Sequence, residues 1–179
     1  MPTRHPLLCS PAKASISVTT TSHEKDRFMV MLSCTADGGK LPPYVIFKRK
    51  MIPKGNYPLG VIVRAQVKGW MDQNLNEDWL KVVWGQRVGR LSHRRSMHVL
   101  DAFRCHNSTP MKKLLRKRNT DLVMIPGGMT SILQPLDVGV KKPFKDGLQQ
   151  CWADWMMYCD KTYTEGGRMR NVKLYIFCM

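Results

Sequence analysis

Two aspartates stand where phosphodiester chemistry would use them. Asp101 closes an apolar, strand-like run, Met97-His98-Val99-Leu100-Asp101, and is followed by Ala102-Phe103-Arg104-Cys105-His106. Asp137 lies in Ser131-Ile132-Leu133-Gln134-Pro135-Leu136-Asp137-Val138-Gly139. A carboxylate at the end of a buried strand and a second on a nearby turn can share a divalent cation, as Mg²⁺-dependent nucleases require. The plain rivals are an ordinary strand-end carboxylate for Asp101 and a helix cap for Asp137. A two-ion site needs a further acid, and no Asp or Glu precedes Glu24. Glu24 and Asp26, just ahead of the Phe28 run, are the nearest stand-ins. Asp37 reads as a turn residue, and Asp72, Glu77 and Asp78 as a solvated helix face. His106 reads as a loop or capping residue with phosphate contact as its rival, and Cys105 has no base specified for it.

The elements that must position these groups follow from periodicity. Phe28 to Leu32, extended by Ser33 and Cys34, reads as a buried strand. Asp37-Gly38-Gly39 turns the chain, and Tyr44 to Phe47 forms a second strand that leaves through Lys48-Arg49-Lys50. Val61-Ile62-Val63 is a short β-branched run. Met71, Leu75, Trp79, Leu80 and Val83 recur at helical spacing. Val99-Leu100-Asp101 is the next strand, Thr109-Pro110 starts a basic helix, and Asp121 to Ile125 is a strand cut off by Pro126-Gly127-Gly128. Phe144, Leu148, Trp152, Trp155 and Met156 mark a last helix, with both tryptophans read as core. The order β-β-β-α-β-α-β-α predicts a mixed sheet with helices on its faces. Residues 1–22, rich in Pro, Ser and Thr, read as an irregular N-terminal arm.

Composition narrows the partners. The 179 residues hold 29 Lys and Arg against 13 Asp and Glu, a net charge of +16. That excess favours a polyanion such as nucleic acid. The phosphate-contact candidates are Lys48, Arg49 and Lys50, together with Lys112, Lys113, Arg116, Lys117 and Arg118; a solvated face is the rival reading. No base-reading element is identifiable, so little sequence preference is expected. The six cysteines form no C-x-x-C pair and no zinc spacing, and read as reduced thiols. No apolar run approaches the ~20 residues of a membrane span.

The motifs also resemble a family. Cys34-Thr35-Ala36-Asp37-Gly38 with Leu41-Pro42-Pro43, then Gly69-Trp70-Met71, then Leu100-Asp101 with Phe103 and His106, then Pro126-Gly127-Gly128 through Thr130-Ser131 to Gln134-Pro135-Leu136-Asp137 and Phe144-Lys145, keep one order. This pattern is similar to the DDE-superfamily endonuclease domain of pogo/Tigger-type transposases, with jerky-like and centromere-protein-B-like relatives. It covers residues 23–170, leaving 171–179 as a tail outside the match. The resemblance implies a ribonuclease-H-like fold, Mg²⁺ as cofactor, DNA as partner and the nucleus as location. It assigns Asp101 and Asp137 to the second and third of three catalytic, metal-binding acids. The first belongs on the first core strand, upstream of Phe28 to Cys34, where this chain offers none. The expectation is therefore a partial domain that lacks the first acid and, with it, the first core strand. Ala102 and Cys105 also depart from the usual pattern. The reading is a DNA-binding, catalytically incomplete domain. The rivals are an active Mg²⁺ endonuclease with a substituted acid, a protein-interaction module and a relic. A gap beside the Phe28 strand would leave buried backbone groups unpaired, so marginal stability is expected.

Overall fold

The computed structural model describes residues 7–16, 28–86, 95–101, 108–134, 136–158 and 165. Within them, β1 (Leu7–Ile16), β2 (Phe28–Thr35), β3 (Tyr44–Lys48), β4 (Ile62–Gln66), β5 (Ser96–Asp101) and β6 (Thr120–Ile125) form one sheet in the order β4-β3-β2-β1-β5-β6. Helices α1 (Gln73–Val82), α2 (Thr109–Lys117), α3 (Thr130–Leu133) and α4 (Lys141–Tyr158) accompany it, and a π-helical turn, Leu136–Val140, leads into α4. The mixed α/β architecture read from periodicity is present. Only β2 runs against its neighbours: it is antiparallel to β1 and β3, while β1–β5, β3–β4 and β5–β6 pair in parallel. The exits of β3, β4, β5 and β6 therefore gather at one end of the sheet.

The expected gap beside β2 is filled. Residues 7–16, inside the segment read as an irregular arm, form β1 in the centre of the sheet, paired with β2 on one side and β5 on the other. The physical reason is visible in the register. Ala12↔Leu32 through Ile16↔Phe28 pair one for one, but between Cys9↔Cys34 and Ala12↔Leu32 two residues, Ser10 and Pro11, oppose the single Ser33. That is a β-bulge, which bends the strand and leaves a residue out of the ladder. Proline has no N–H to donate, so a bulge is one of the few places a strand tolerates it. Pro11 thus marks an irregularity within a strand rather than the absence of one. The slot itself supplies the rest: β2 and β5 each present backbone groups that need partners when buried.

Alternation divides the buried side chains between the two faces. Met29, Met31, Tyr44, Ile46 and Leu100 point to one face, where Trp79 and Leu80 of α1, Trp84 and Met111 and Leu115 of α2 cover them. His98 lies fully buried there, its ring stacked on Trp79 at 5.3 Å and tilted against Trp84 at 4.1 Å. Val30, Val45, Phe47 and Val63 point to the other face, where Phe144 of α4 packs with them. Trp155 is buried and stacks on the half-buried Trp152 at 5.3 Å.

Local chemistry sets the ends. Asp72 caps α1 by accepting the Leu75 N–H at 2.9 Å. The N-cap of α2 is Ser108, one residue before the expected Thr109, with Pro110 in the first turn. Asn119, in the left-handed region at φ 51°, turns α2 straight into β6. Asp78 of α1 accepts from the Tyr44 hydroxyl and from Arg64 Nε, both at 2.8 Å, and so ties β3, β4 and α1 together. Asp78 was read as solvated; half-buried, it is instead the centre of this knot.

Candidate functional site

Asp101 is the last residue of β5 and pairs with Ile125 across the β5–β6 ladder. Its neighbour Leu100 belongs to the face covered by α1 and α2. By strand alternation Asp101 points to the opposite face, the one on which α4 lies. Asp101 is half-buried and its Oδ1 is shielded from solvent. Asp137 sits inside the π-helical turn rather than at a helix cap. The backbone of that turn lies against β1 and β2. Leu136 and Val140, on either side of Asp137, share a cleft with Leu32 and Cys34 of β2.

The register relates these positions through β1. The parallel pairing runs Leu7↔Met97 and Leu8↔His98, and the Ser10-Pro11 bulge follows it toward the Asp101 end of β5. The same two residues oppose Ser33, which lies between Leu32 and Cys34. β1 alone separates β5 from the β2 wall under the π-helical turn, about 10 Å at normal strand spacing. Between them stands the bulge.

That arrangement tests the fit of a two-ion centre. Each ion needs carboxylates held in fixed positions. β1, the strand next to β5, reads Leu7-Leu8-Cys9-Ser10-Pro11-Ala12-Lys13-Ala14-Ser15-Ile16 and carries no acid. Among the described residues no group of three or more His, Cys, Asp or Glu side chains is placed to hold a metal ion. Among the described side chains this donor set does not fit two ions. Glu24, Asp26, Cys105 and His106 lie outside the described residues. Asp37 is the turn residue expected: its carboxylate accepts from the Thr35 hydroxyl and from the Gly39 N–H, which hold it below the usual aspartate range.

The basic candidates do not form one patch. Lys48 and Lys50 are exposed and Arg49 half-buried, all at the exit of β3, the sheet end to which β5 also delivers Asp101. Gly69, from the Gly-Trp-Met motif, fixes that exit. Its φ is 68°, and a Cβ there would stand 2.7 Å from Lys48 Cβ. On α2, Lys112, Lys113, Arg116 and Lys117 are exposed. The helix returns the chain from the exit of β5 to the start of β6, so Arg116 and Lys117 lie toward the far end of the sheet from Asp101. Arg118 departs from the group: it is half-buried, its Nη1 is shielded from solvent, and that atom fills the space a Cβ on Gly85 would take. The sequence reading passed over Lys141, Lys142 and Lys145, which open α4 directly after the turn carrying Asp137. Lys142 and Lys145 are exposed and Lys141 half-buried. The signal was present in Lys141-Lys142-Pro143-Phe144-Lys145, where three cations flank one apolar residue.

The family follows from the sequence as a whole. The chain belongs to the DDE superfamily endonucleases, whose family model matches residues 25–179. That span includes 171–179 and begins after β1. Within the family the pogo/Tigger-type resemblance holds. The chain is 41% identical over 162 residues to "Pogo transposable element with KRAB domain" from Mus musculus, covering 90% of this chain and 27% of that protein. The Homo sapiens protein of the same name is 39% identical over the same length, again covering 90% and 27%. "Jerky protein homolog" from Homo sapiens is 25% identical over 147 residues, covering 76% of this chain and 26% of its own length. The chain thus spans about a quarter of the length of these relatives. DDE superfamily endonucleases typically use divalent metals. No helix among the described residues is long and apolar enough to cross a membrane.

Proposed function

We propose that this domain binds DNA through its sugar-phosphate backbone, in the nucleus, and does not cut it. One observation carries the second half: the central strand beside β5 carries no acid and is broken by a Ser10-Pro11 bulge, where the two-ion chemistry of the family needs a carboxylate. A ribonuclease-H-like reading is supported by the sheet itself. Three consecutive antiparallel strands are followed by two parallel strands on the other side of the first, in the order β3-β2-β1-β5-β6, with β4 added at the edge. On this reading Asp101, at the end of β5, and Asp137, within the π-helical turn, are what remains of the acid triad. Together they would hold at most one Mg²⁺, whose chemistry when bound is to polarise a phosphate oxygen. The residues of this chain then act on DNA by charge. Lys48, Arg49 and Lys50 meet phosphates at the sheet end near Asp101, and Lys112 and Lys113 extend the surface along the start of α2. Arg116 and Lys117, toward the opposite end, contribute less, and Arg118 is held within the fold.

The test pairs binding with cleavage. Affinity for duplex DNA falls with log salt at a slope of about −0.9 for each phosphate contact. Replacing Lys48 and Lys50 with Gln flattens that slope by about two, while replacing Arg116 and Lys117 changes it less. Supercoiled plasmid stays intact with Mg²⁺ or Mn²⁺. Metal-dependent nicking that vanishes in Asp101→Ala would falsify the non-cleaving reading, and salt-independent association would remove DNA as the partner. Ser10→Asp and Pro11→Asp, each returning a carboxylate to the bulge, are expected to raise Mn²⁺ affinity. If neither does, the bulge is not the position of the lost acid.

A further inference from the structure

We infer that Trp70 is a stacking platform for an unpaired base, so that the sheet end proposed to meet phosphates also gains affinity from the bases of single-stranded DNA. The inference rests on the DNA-binding reading and adds a contact that lysines do not supply. Tryptophan is largely buried, on average, in folded proteins. Trp79 and Trp84 are fully buried here and Trp155 is buried, but Trp70 is 54% exposed. It is the middle residue of the Gly-Trp-Met motif, and the packing of the domain leaves it out. Its neighbour Met71 is the one that enters the core.

The backbone around Trp70 is braced, and cations stand beside it. Gln66, the last residue of β4, pairs with Lys48 at the end of β3. The turn that follows is closed by the Gly69 N–H, which donates to the Gln66 carbonyl at 2.9 Å. The Gln66 side-chain oxygen accepts from the N–H groups of Lys68 and Trp70, and its amide donates to Asp72 at 3.3 Å. Lys68 in the turn is exposed, as are Lys48 and Lys50 at the exit of β3. Asp72, the nearest acid along the chain, is already engaged by Gln66 and by the Leu75 N–H at the start of α1. A ring on a braced turn can stack on any base, because every base has a π-face. In closed duplex that face is covered by the neighbouring base pairs, so the contact needs an unpaired nucleotide.

The probes are oligothymidylate and an abasic strand of the same length, which carries the same phosphates without bases. The whole chain is expected to bind oligothymidylate about tenfold more tightly than the abasic strand, read by fluorescence anisotropy. Trp70→Ala brings the two affinities together and leaves duplex binding and its salt slope unchanged, because the phosphate contacts remain. Trp70→Phe keeps a preference for oligothymidylate. A second readout needs no variant: the intrinsic tryptophan emission falls on adding oligothymidylate and not on adding the abasic strand. Equal binding of the two strands by the unaltered chain, or a preference for thymidines that survives Trp70→Ala, overturns the inference while the duplex-binding reading stands. A loss in Trp70→Ala shared equally by duplex, oligothymidylate and abasic strand also overturns it. Failure of the unaltered chain to bind duplex or either strand overturns the DNA-binding reading and this inference together.

Discussion

The two faces of this sheet are built differently. One is sealed by α1 and α2, with Trp79, Trp84 and His98 packed ring against ring and Leu80, Met111 and Leu115 closing the edges. The other is covered by the π-helical turn and α4, and it keeps a cleft and a helix whose end exposes Met157 at 72% and Tyr158 at 80%. The α1–α2 face holds the buried aromatic cluster, with a cleft of about 400 Å³ at its α2–β6 edge. The open face carries every residue on which a function is proposed, except Trp70 and the basic residues of the sheet end and α2. A binding surface needs access, and access is incompatible with dense packing on the same face.

The largest test of this contrast is Trp79→Ala, expected to cost about 3–5 kcal/mol in urea unfolding because a fully buried aromatic leaves a cavity that its neighbours cannot close. On the open face Phe144→Ala is expected to cost about 1–2 kcal/mol, since the ring is only partly buried. Equal costs would erase the distinction between the faces. Next is the knot of Tyr44, Arg64 and Asp78. Burial, then the Asp78 carboxylate, raise the Tyr44 pKa above its usual 10.0. The phenol therefore stays neutral in the fold while it ionises in the unfolded chain. The stabilisation is fully present below pH 10 and is lost as pH rises beyond it. Tyr44→Phe is expected to flatten the decline in stability above pH 10. Asp78→Asn weakens the half-exposed pair to Arg64 by about 1 kcal/mol or less. The smallest effect belongs to Asp37. Its lowered pKa means that the turn's hydrogen bonds are present above 3.8 and are lost as pH falls through the lower folded value. An NMR titration of Asp37 is expected to give a midpoint below 3.8, and Thr35→Ala to move it back up.

Most of the sheet was legible because its strands are apolar runs bounded by turn residues. β2, β3, β5 and β6 all follow from that pattern, and Asp101 was readable as the end of β5. β1 was not read, because Pro11 and the serines outweighed a period-two pattern in Ala12, Ala14 and Ile16 set against Lys13 and Ser15. A bulge is a tertiary solution, and only its partners β2 and β5 make the proline acceptable. That no Asp or Glu stands before Glu24 was readable directly. Its consequence was not, because losing the acid and losing the strand are separable. The expected marginal stability rested on a gap that β1 fills. Nor could the cleft be read, as it joins two segments far apart in the chain. The division of the basic residues was hidden too, since charge in sequence says nothing about which end of a helix meets which end of a sheet.

Gly69 shows how far a missing side chain can reach. It meets Lys48 from the turn just after β4, the strand paired with β3, at the point where the chain turns out of β3. A methyl group placed there has nowhere to go, so the whole Lys48-Arg49-Lys50 segment would swing aside with its charges intact. Such a variant would keep its net charge and its helices yet present its cations at the wrong spacing for a phosphate ladder, a lesion in aim and not in composition.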